Sequence, residues 1–205
     1  MKKIVLFVLL SMMAVTATFA QEAAFTQAVA KFKSAKTATA NVTMIQHNAA
    51  LTKNTTATGS LYMKDPDKVC ISVNGGKDQL VMNGNTFTMV MKGRKHVANS
   101  KISAQFATFK SVFYSVLSGG KSDISKLSGV SVAQSGHNVL VTIVPVAANA
   151  KEKRRMMFSS FELVINKSTN ALVSLSMKDR RGGYTKYAFT GFRFGGSVND
   201  KVFNP

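Results

Sequence analysis

Residues 57–91 read ATGSLYMKDPDKVCISVNGGKDQLVMNGNTFTMVM, and this stretch decides the fold. Apolar side chains recur at every second position in successive short runs, as in Val69, Ile71 and Val73. Period-two apolar residues predict half-buried strands. The breaks between the runs carry turn-forming sequences, namely Asp65-Pro66-Asp67, Gly75-Gly76 and Asn83-Gly84. The stretch therefore predicts a continuous antiparallel sheet with one apolar face.

The same pattern continues on both sides of this stretch, interrupted by loops that include residues 53–56 and the basic segment 151–155. Strands are predicted over 38–48, 57–64, 67–74, 77–82, 86–91, 95–98, 130–135, 138–146, 156–166, 171–178 and 184–194. About eleven strands in one domain of this size favour a barrel or a strongly curved single sheet. The fold class is mainly β with helices (α+β).

Two segments show helical periodicity instead. Apolar residues near the N-terminus predict a short helix over 23–35, carried by Ala23, Phe25, Ala28, Val29 and Phe32. A second helix is predicted from Ser103 as the N-cap to Gly119-Gly120 as the end. One face of that helix is mostly aromatic, with Phe106, Phe109, Val112, Phe113, Val116 and Leu117.

The N-terminus has the features of a secretory signal peptide. Lys2 and Lys3 precede an apolar run, and Thr18 and Ala20 are small residues at a cleavage site before Gln21. We predict a cleaved signal over 1–20 and a single domain over 21–205, exported to the periplasm as a soluble protein. The lone cysteine, Cys70, cannot form an internal disulfide. It lies within a strand beside Val69 and Ile71, and we expect it to be a small buried or half-buried apolar residue.

The chain is strongly basic, with a formal net charge of +18. Export argues against a nucleic-acid partner and leaves anionic lipid head groups, surface glycans or an acidic protein. The alternative is solvated surface charge that keeps an apolar domain in solution. Many of the basic residues fall in predicted turns, namely Lys92, Arg94, Lys95, Lys151, Lys153, Arg154, Arg155, Arg180 and Arg181.

The sequence offers no catalytic or metal-binding constellation. His47, His96 and His137 are far apart and lack a second ligand at metal-site spacing. Gly120-Lys121-Ser122 resembles the end of a phosphate-binding loop, but position 115 is Ser where that motif requires Gly. We expect no enzyme, no metal and no cofactor.

The apolar faces leave two interpretations open. An ordinary core would account for them, with the aromatic helix packed on the sheet. Flexible methionines suit surfaces that accept ligands of variable shape, and these faces carry Met44, Met63, Met82, Met89, Met91 and Met177. A wide barrel would therefore be filled either by its own side chains and the helix, or by a lipid.

Three segments in succession resemble one known family. They are Met44-Ile45-Gln46, Gly59-Ser60-Leu61-Tyr62-Met63-Lys64-Asp65-Pro66 and Leu80-Val81-Met82-Asn83-Gly84-Asn85-Thr86-Phe87, behind a signal peptide without an anchoring cysteine. In order and spacing they resemble the outer-membrane lipoprotein carrier protein (LolA) family, well over residues 38–98 and loosely over 161–194.

The resemblance implies a half-open antiparallel β-barrel closed by a helical lid, with acyl chains sheltered in its apolar interior. The residues expected to contact lipid are Leu61, Met63, Val69, Ile71, Val73, Leu80, Met82, Phe87 and Met89 on the strands, and Phe106, Phe109 and Phe113 on the lid helix. The chain departs from the family at Asp65, the lid-latch position, where the family commonly has an arginine that helps to fasten the lid.

These features favour a periplasmic carrier of lipoprotein acyl chains or other lipids toward the outer membrane. We expect a monomer that meets an inner-membrane donor and an outer-membrane acceptor. One alternative is a lipid-sensing module of similar fold that regulates a membrane partner. Others are an exported adhesin or matrix protein with a filled core, and a hydrolase.

Overall fold

The computed structural model of the protein describes residues 21–50, 54–97 and 100–205, and for 100–104 it describes the backbone alone. The predicted signal peptide lies outside the described residues. The strands are β1 (Thr37–His47), β2 (Thr55–Lys64), β3 (Lys68–Val73), β4 (Asp78–Asn83), β5 (Thr86–Met91), β6 (Arg94–Val97), β7 (Val130–Ser135), β8 (Asn138–Ile143), β9 (Phe158–Asn166), β10 (Ala171–Asp179) and β11 (Tyr184–Phe194). Each corresponds to a predicted strand.

All eleven strands form one antiparallel sheet in the order β6-β5-β4-β3-β2-β1-β11-β10-β9-β8-β7. Each half of the chain is a meander of neighbouring strands, and the halves are joined where β1 pairs with β11 along most of its length. The sheet ends at β6 and β7, and these two strands do not pair with each other in the described part of the chain. The sheet is therefore open.

The period-two residues share one face because the register aligns them. Leu61 lies opposite Ile71, which lies opposite Leu80, which lies opposite Met89. Directly opposed residues in an antiparallel pair point to the same side of the sheet. This face, which we call the inner face, forms the main core.

The local predictions were wrong in small ways at two turns. Thr55 and Thr56, expected in a loop, open β2. The hairpin between β4 and β5 pairs Asn83 with Thr86, so its loop is Gly84-Asn85 and not Asn83-Gly84. Gly84 adopts a φ of 56°, a left-handed conformation that glycine tolerates without a Cβ clash.

Helix α1 covers residues 21–29 of the described chain and continues as a 3-10 turn over Ala30–Lys33. Phe25, Ala28, Val29 and Phe32 are buried, as the periodicity predicts, whereas Ala24 is buried in place of Ala23. Phe32 packs edge-on against Phe194 at the end of β11, with ring centroids 4.9 Å apart. This contact docks the N-terminal segment onto the joint between the two meanders.

Helix α2 spans Ser100–Leu117 and begins three residues before the predicted N-cap. It ends at Leu117, just before the predicted Gly119-Gly120 pair. At Gly119 φ is 68°, and an added Cβ would lie 2.6 Å from the Cβ of Lys33. A side chain at position 119 would therefore collide with the segment that follows α1. No helix in the described residues has the length and apolarity needed to cross a membrane.

A third helix, α3 (Ala150–Arg155), occupies the segment that was expected to be a basic loop. Its first turn is capped from both directions. The side chain of Asn149 accepts a hydrogen bond from the Glu152 amide at 2.9 Å, and Glu152 Oε2 accepts one from the Ala148 amide at 2.8 Å. The spacing Asn149 to Glu152 is a helix-start signal that was present in the sequence.

The opposite, outer face of β3 and β4 carries a second, smaller core. Cys70 and Val81 are buried there against Val198 and Phe203 of the C-terminal segment. The prediction that Cys70 is buried is confirmed. Lys64 and Lys68 anchor this segment through Asp200, with N–O distances of 3.0 and 2.9 Å.

Burial raises the pKa of the Cys70 thiol to about 12, so its reactive thiolate is scarce at neutral pH. We expect alkylation of Cys70 at pH 8 to be at least about a hundredfold slower in the native protein than in urea. The native thiol keeps its proton to a higher pH than the unfolded one. The free energy of unfolding should therefore fall as the pH rises from 9.0 through about 12. Phe203→Ala, which uncovers this cluster, should accelerate native alkylation about tenfold or more. Equal rates in buffer and urea would contradict this assignment.

Candidate functional site

The sheet wraps around helix α2. In the sheet, β5 and β9 are seven strand spacings apart, which would separate them by about 34 Å if the sheet were flat. Yet the ring centroid of Phe106 lies 3.9 Å from that of Phe87 on β5 and 5.8 Å from that of Phe161 on β9. Only strong curvature brings both strands to one helix. The half-open barrel closed by a helix is therefore confirmed.

The aromatic stripe of α2 faces the inner surface of the sheet. Phe109 packs against Phe161 at 4.7 Å and against Phe113 at 4.9 Å between ring centroids. Phe106, Phe109 and Phe113 are fully buried. In this arrangement α2 covers the apolar face of both meanders, and its own side chains occupy the space beneath it.

All but one of the residues predicted to contact lipid lie in this single core. The exception is Met89, which packs half-buried against its edge. The structure thus brings the whole predicted set together between α2 and the sheet. Their contact with lipid stays a prediction, because in this form the same side chains fill the interior.

Two cavities open at one end of the barrel, next to the N-terminal half of α2. The larger has a volume of about 250 Å³ and includes Met44, Met177 and Tyr187 in its lining. The smaller, about 100 Å³, is almost wholly apolar and is lined in part by Phe87 and Phe106. Met89, Met91 and Met157 line both cavities, so three flexible thioether side chains form the boundary between them. We call this opening the mouth.

Among the described side chains, three polar contacts fasten α2 to the sheet and its connections. At the mouth, Gln105 Oε1 accepts a hydrogen bond from the Met157 amide at 3.0 Å. At the other end, Lys110 Nζ donates to the Asn85 carbonyl at 3.0 Å, and the Tyr114 hydroxyl donates to the Gly84 carbonyl. Burial and the nearby charge of Asp67 raise the pKa of Tyr114 to about 12, so this donor keeps its proton at neutral pH. Sequence reasoning missed these residues because contacts between distant segments leave no periodic signal.

Asp65, at the predicted lid-latch position, lies in the turn between β2 and β3. Its carboxylate pairs with Lys36 Nζ at 3.0 Å, and its amide donates to the Lys36 carbonyl at 2.9 Å. Lys36 immediately precedes β1, so this pair joins two neighbouring strands. In the described part of α2, the side chains of Gln105, Lys110 and Tyr114 hydrogen-bond to the sheet or its connections.

Basic side chains gather beside the mouth. A surface cavity of about 470 Å³ is lined by Arg154 and Arg155 at the end of α3 and by Arg180 and Arg181 in the β10–β11 turn. Met156 and Met157 belong to the same cavity. The chain therefore places cationic and apolar side chains side by side next to the opening.

The histidines stay separate from one another. His47 stacks on Tyr184, with ring centroids 5.1 Å apart, and its Nδ1 donates a hydrogen bond to Asn54 Oδ1, whereas His137 contacts Ser168. Across residues 21–50, 54–97 and 100–205, no group of three metal-ligating side chains lies together.

The shape of the chain is similar to several solved structures, all at low identity. A domain from Vibrio parahaemolyticus that is named for outer membrane lipoprotein sorting is 11% identical, with 91% of this chain and 97% of that chain covered and a TM-score of 0.48. A LolA superfamily protein from Nitrosomonas europaea is 10% identical, with 89% and 96% covered and a TM-score of 0.41. The lipoprotein LppX from Mycobacterium tuberculosis is 15% identical, with 88% and 97% covered and a TM-score of 0.38.

No curated protein matches the sequence. The family assignment rests instead on a family model, that of the outer membrane lipoprotein carrier protein LolA, which matches residues 33–205. This range contains all eleven strands and helices α2 and α3. The chain therefore belongs to the LolA family.

Proposed function

We propose that the protein is a periplasmic carrier that binds the acyl chains of lipoproteins or other lipids between the sheet and α2 and ferries them toward the outer membrane. The observation that carries this proposal is the covered inner face. A continuous apolar surface spans both meanders, one helix covers it, and an opening lined by methionine leads to it.

The cavities imply that α2 moves when a ligand enters. Sites for ligands of drug size are usually about 300 Å³ or larger, whereas the larger cavity at the mouth has about 250 Å³. An acyl chain therefore needs the space that Phe106, Phe109 and Phe113 occupy here. In the proposed mechanism α2 lifts from the mouth, the chain enters, and the aromatic face of α2 packs on the ligand.

The energetics suit a carrier. Burial contributes about 0.8 kcal/mol per methylene, so a chain of roughly sixteen carbons could gain on the order of 10 kcal/mol before ordering costs. Opposing this gain is the packing of α2 onto the sheet, which the ligand must replace. The closed form competes with the ligand, so it assists release to an acceptor that binds more tightly.

A titration with a fluorescent fatty acid tests the proposal, together with native mass spectrometry of protein purified without detergent. We expect saturable uptake and a bound lipid mass. Met89→Asp places a carboxylate where both cavities meet and should weaken uptake at least about tenfold, because the charge would have to lose its hydration beside an acyl chain.

Val173→Asp is the matched control, because Val173 is exposed on β10 and does not line the mouth cavities. It should leave uptake unchanged. Protein without bound lipid and without saturable uptake would refute the carrier proposal.

The alternative, a lipid-sensing module that regulates a membrane partner, would use the same cavity. Affinity purification from the native envelope separates the two functions. Recovery of lipoproteins supports the carrier, whereas recovery of a membrane regulator without lipoprotein supports the sensor. For either function we propose a monomer and assign no catalytic step.

A further inference from the structure

We propose that the mouth end of the protein docks on the surface of an anionic lipid bilayer. The mouth end comprises β6, α3 with its preceding connection 144–149, and the turns 74–77, 92–93 and 180–183. These segments lie together because β3, β5, β8 and β10 end there and β4, β6, β9 and β11 begin there. The inference goes beyond the carrier function and does not require bound cargo.

The mouth end has a large excess of positive charge. It has three acidic residues, namely Asp78 at the start of β4, Glu152 in α3 and Asp179 at the end of β10. Its basic residues are Lys77, Lys92, Arg94, Lys95, Lys151, Lys153, Arg154, Arg155, Arg180 and Arg181, and all of them are exposed. A surface of this composition attracts an anionic membrane.

The acidic groups at this end are engaged by backbone amides. Asp78 Oδ1 accepts from the Lys92 amide at 2.8 Å. Asp179 Oδ1 accepts from the amides of Arg181 and Gly183 at 2.6 and 3.0 Å. Glu152 caps α3 in the same way. These carboxylates therefore stabilise the turns.

The arginines keep donors for an external anion. Arg180 donates through one guanidinium nitrogen to the Lys153 carbonyl, which ties the β10–β11 turn to α3. A guanidinium has five N–H donors in a planar fork, so this contact leaves most of them available. The arginine cluster can therefore bind phosphate groups without giving up its own fold contacts.

Ion pairs occur elsewhere in the molecule. The four salt bridges found among the described residues are Lys36–Asp65, Lys64–Asp200, Lys68–Asp200 and Lys126–Asp123. None of them includes a residue of the mouth end. Asp179 lines the arginine cavity, and Lys95 Nζ donates to the Pro205 carbonyl at 2.7 Å, but the ten basic residues of the mouth end still outnumber its three acidic ones.

Exposed apolar side chains accompany these charges. Val146 in the connection before α3 is 57% exposed, and Met91 at the end of β5 is 44% exposed. Val97, Val144 and Met157 are similarly exposed and also belong to this end or border it, whereas Val173 lies elsewhere on β10. Basic residues mixed with protruding apolar ones are typical of surfaces that lie at the boundary between head groups and acyl chains.

The neighbourhood of Met157 favours a bilayer over an acidic protein as the partner. Arg154, Arg155, Arg180 and Arg181 share one surface cavity with Met156 and Met157. Met157 also lines both mouth cavities. Anionic head groups would meet the arginines while Met157 and Met91 enter the acyl region, which places the mouth directly over lipid.

Co-sedimentation with vesicles tests the proposal. Wild-type protein should bind vesicles of phosphatidylcholine with about 30% phosphatidylglycerol and should not bind pure phosphatidylcholine. The variant Arg154→Gln/Arg155→Gln/Arg180→Gln/Arg181→Gln should lower the partition coefficient at least about tenfold in about 0.1 M salt.

The matched control removes the same charge from other exposed positions, through Lys33→Gln/Lys121→Gln/Arg193→Gln/Lys201→Gln. It should retain most of the binding. Circular dichroism of each variant confirms that it is folded.

A second measurement keeps all the charged side chains of the wild-type protein and therefore does not depend on the arginine variant. The chain has no tryptophan, so a single one is a clean probe. Met91→Trp should show a blue-shifted emission on anionic vesicles, and the control Val173→Trp should not.

The docking proposal would be overturned by any of three results. These are no binding to anionic vesicles, an equal loss of binding in both charge variants, and an unshifted emission from the Met91→Trp variant. An acidic protein partner would give the first of these results. The fatty-acid titration is performed without vesicles. Uptake without docking would therefore support the carrier function and refute the docking proposal. Docking without uptake would support the docking proposal and refute the carrier function.

Discussion

Phe161→Ala is expected to destabilise the protein and, at the same time, to tighten its binding of an acyl probe. Phe161 is fully buried on β9 beneath α2, with its ring 4.7 Å from that of Phe109 and 5.3 Å from that of Phe158. Its truncation removes contacts that α2 cannot restore, and it should lower the free energy of unfolding by about 4 kcal/mol. The change is measured by urea denaturation with and without fatty acid.

The same truncation leaves an apolar cavity between the helix and the sheet. Dry apolar cavities bind apolar guests, so a probe whose chain lies in this space should bind about tenfold more tightly and should restore part of the lost stability. Phe161→Leu leaves a smaller cavity and should show both effects in reduced form. A destabilised variant with unchanged probe affinity would mean that acyl chains do not reach the space beneath α2.

The second large effect is expected from the combined variant Gln105→Leu/Lys110→Gln/Tyr114→Phe. It removes the side-chain hydrogen bonds by which the described part of α2 is fastened to the Met157 amide and to the Gly84-Asn85 loop. At about 1 kcal/mol each, their loss should raise the population with α2 lifted by roughly a hundredfold. Hydrogen exchange detects this as faster exchange of the α2 amides, with β9 unaffected.

Ser111→Ala is the matched control for this variant. Ser111 lies on the exposed side of α2, and its hydroxyl donates only to the Ala107 carbonyl of the same helix. In the Ser111→Ala variant, hydrogen exchange of the α2 amides should be as slow as in the wild-type protein. If the combined variant accelerates exchange equally in α2 and in β9, the helix opens only with the whole sheet, and α2 is an ordinary core element and not a lid.

The strands were predictable because their signal is local. A residue such as Ile71 faces the core for the same reason as Val69 and Val73, and the alternation is visible without knowledge of the partner strand. The turn sequences then delimit each strand. All eleven strands follow from these two local signals.

Features that depend on contacts between distant segments could not be predicted in this way. The C-terminal segment covers Cys70 through Phe203, and Gln105 reaches Met157, but neither contact has a repeating pattern in the sequence. The inner face was predictable for most residues, although Met91 at the end of β5, expected on the apolar face, is 44% exposed. The amount of free space was not, because it depends on how closely the stripe of Phe106, Phe109 and Phe113 approaches the sheet.

The joint between β1 and β11 has a consequence for how the chain folds. Met44 on β1 pairs with Tyr187 on β11, so the central pairing of the sheet joins residues far apart in the sequence. Each meander can form from local contacts, but the joint requires a slow, non-local search. Until synthesis reaches the last strand, β1 presents an unpaired edge, and such edges invite aggregation. The sheet can therefore be completed only after β11 has been synthesised, and the edge of β1 needs protection from aggregation until then.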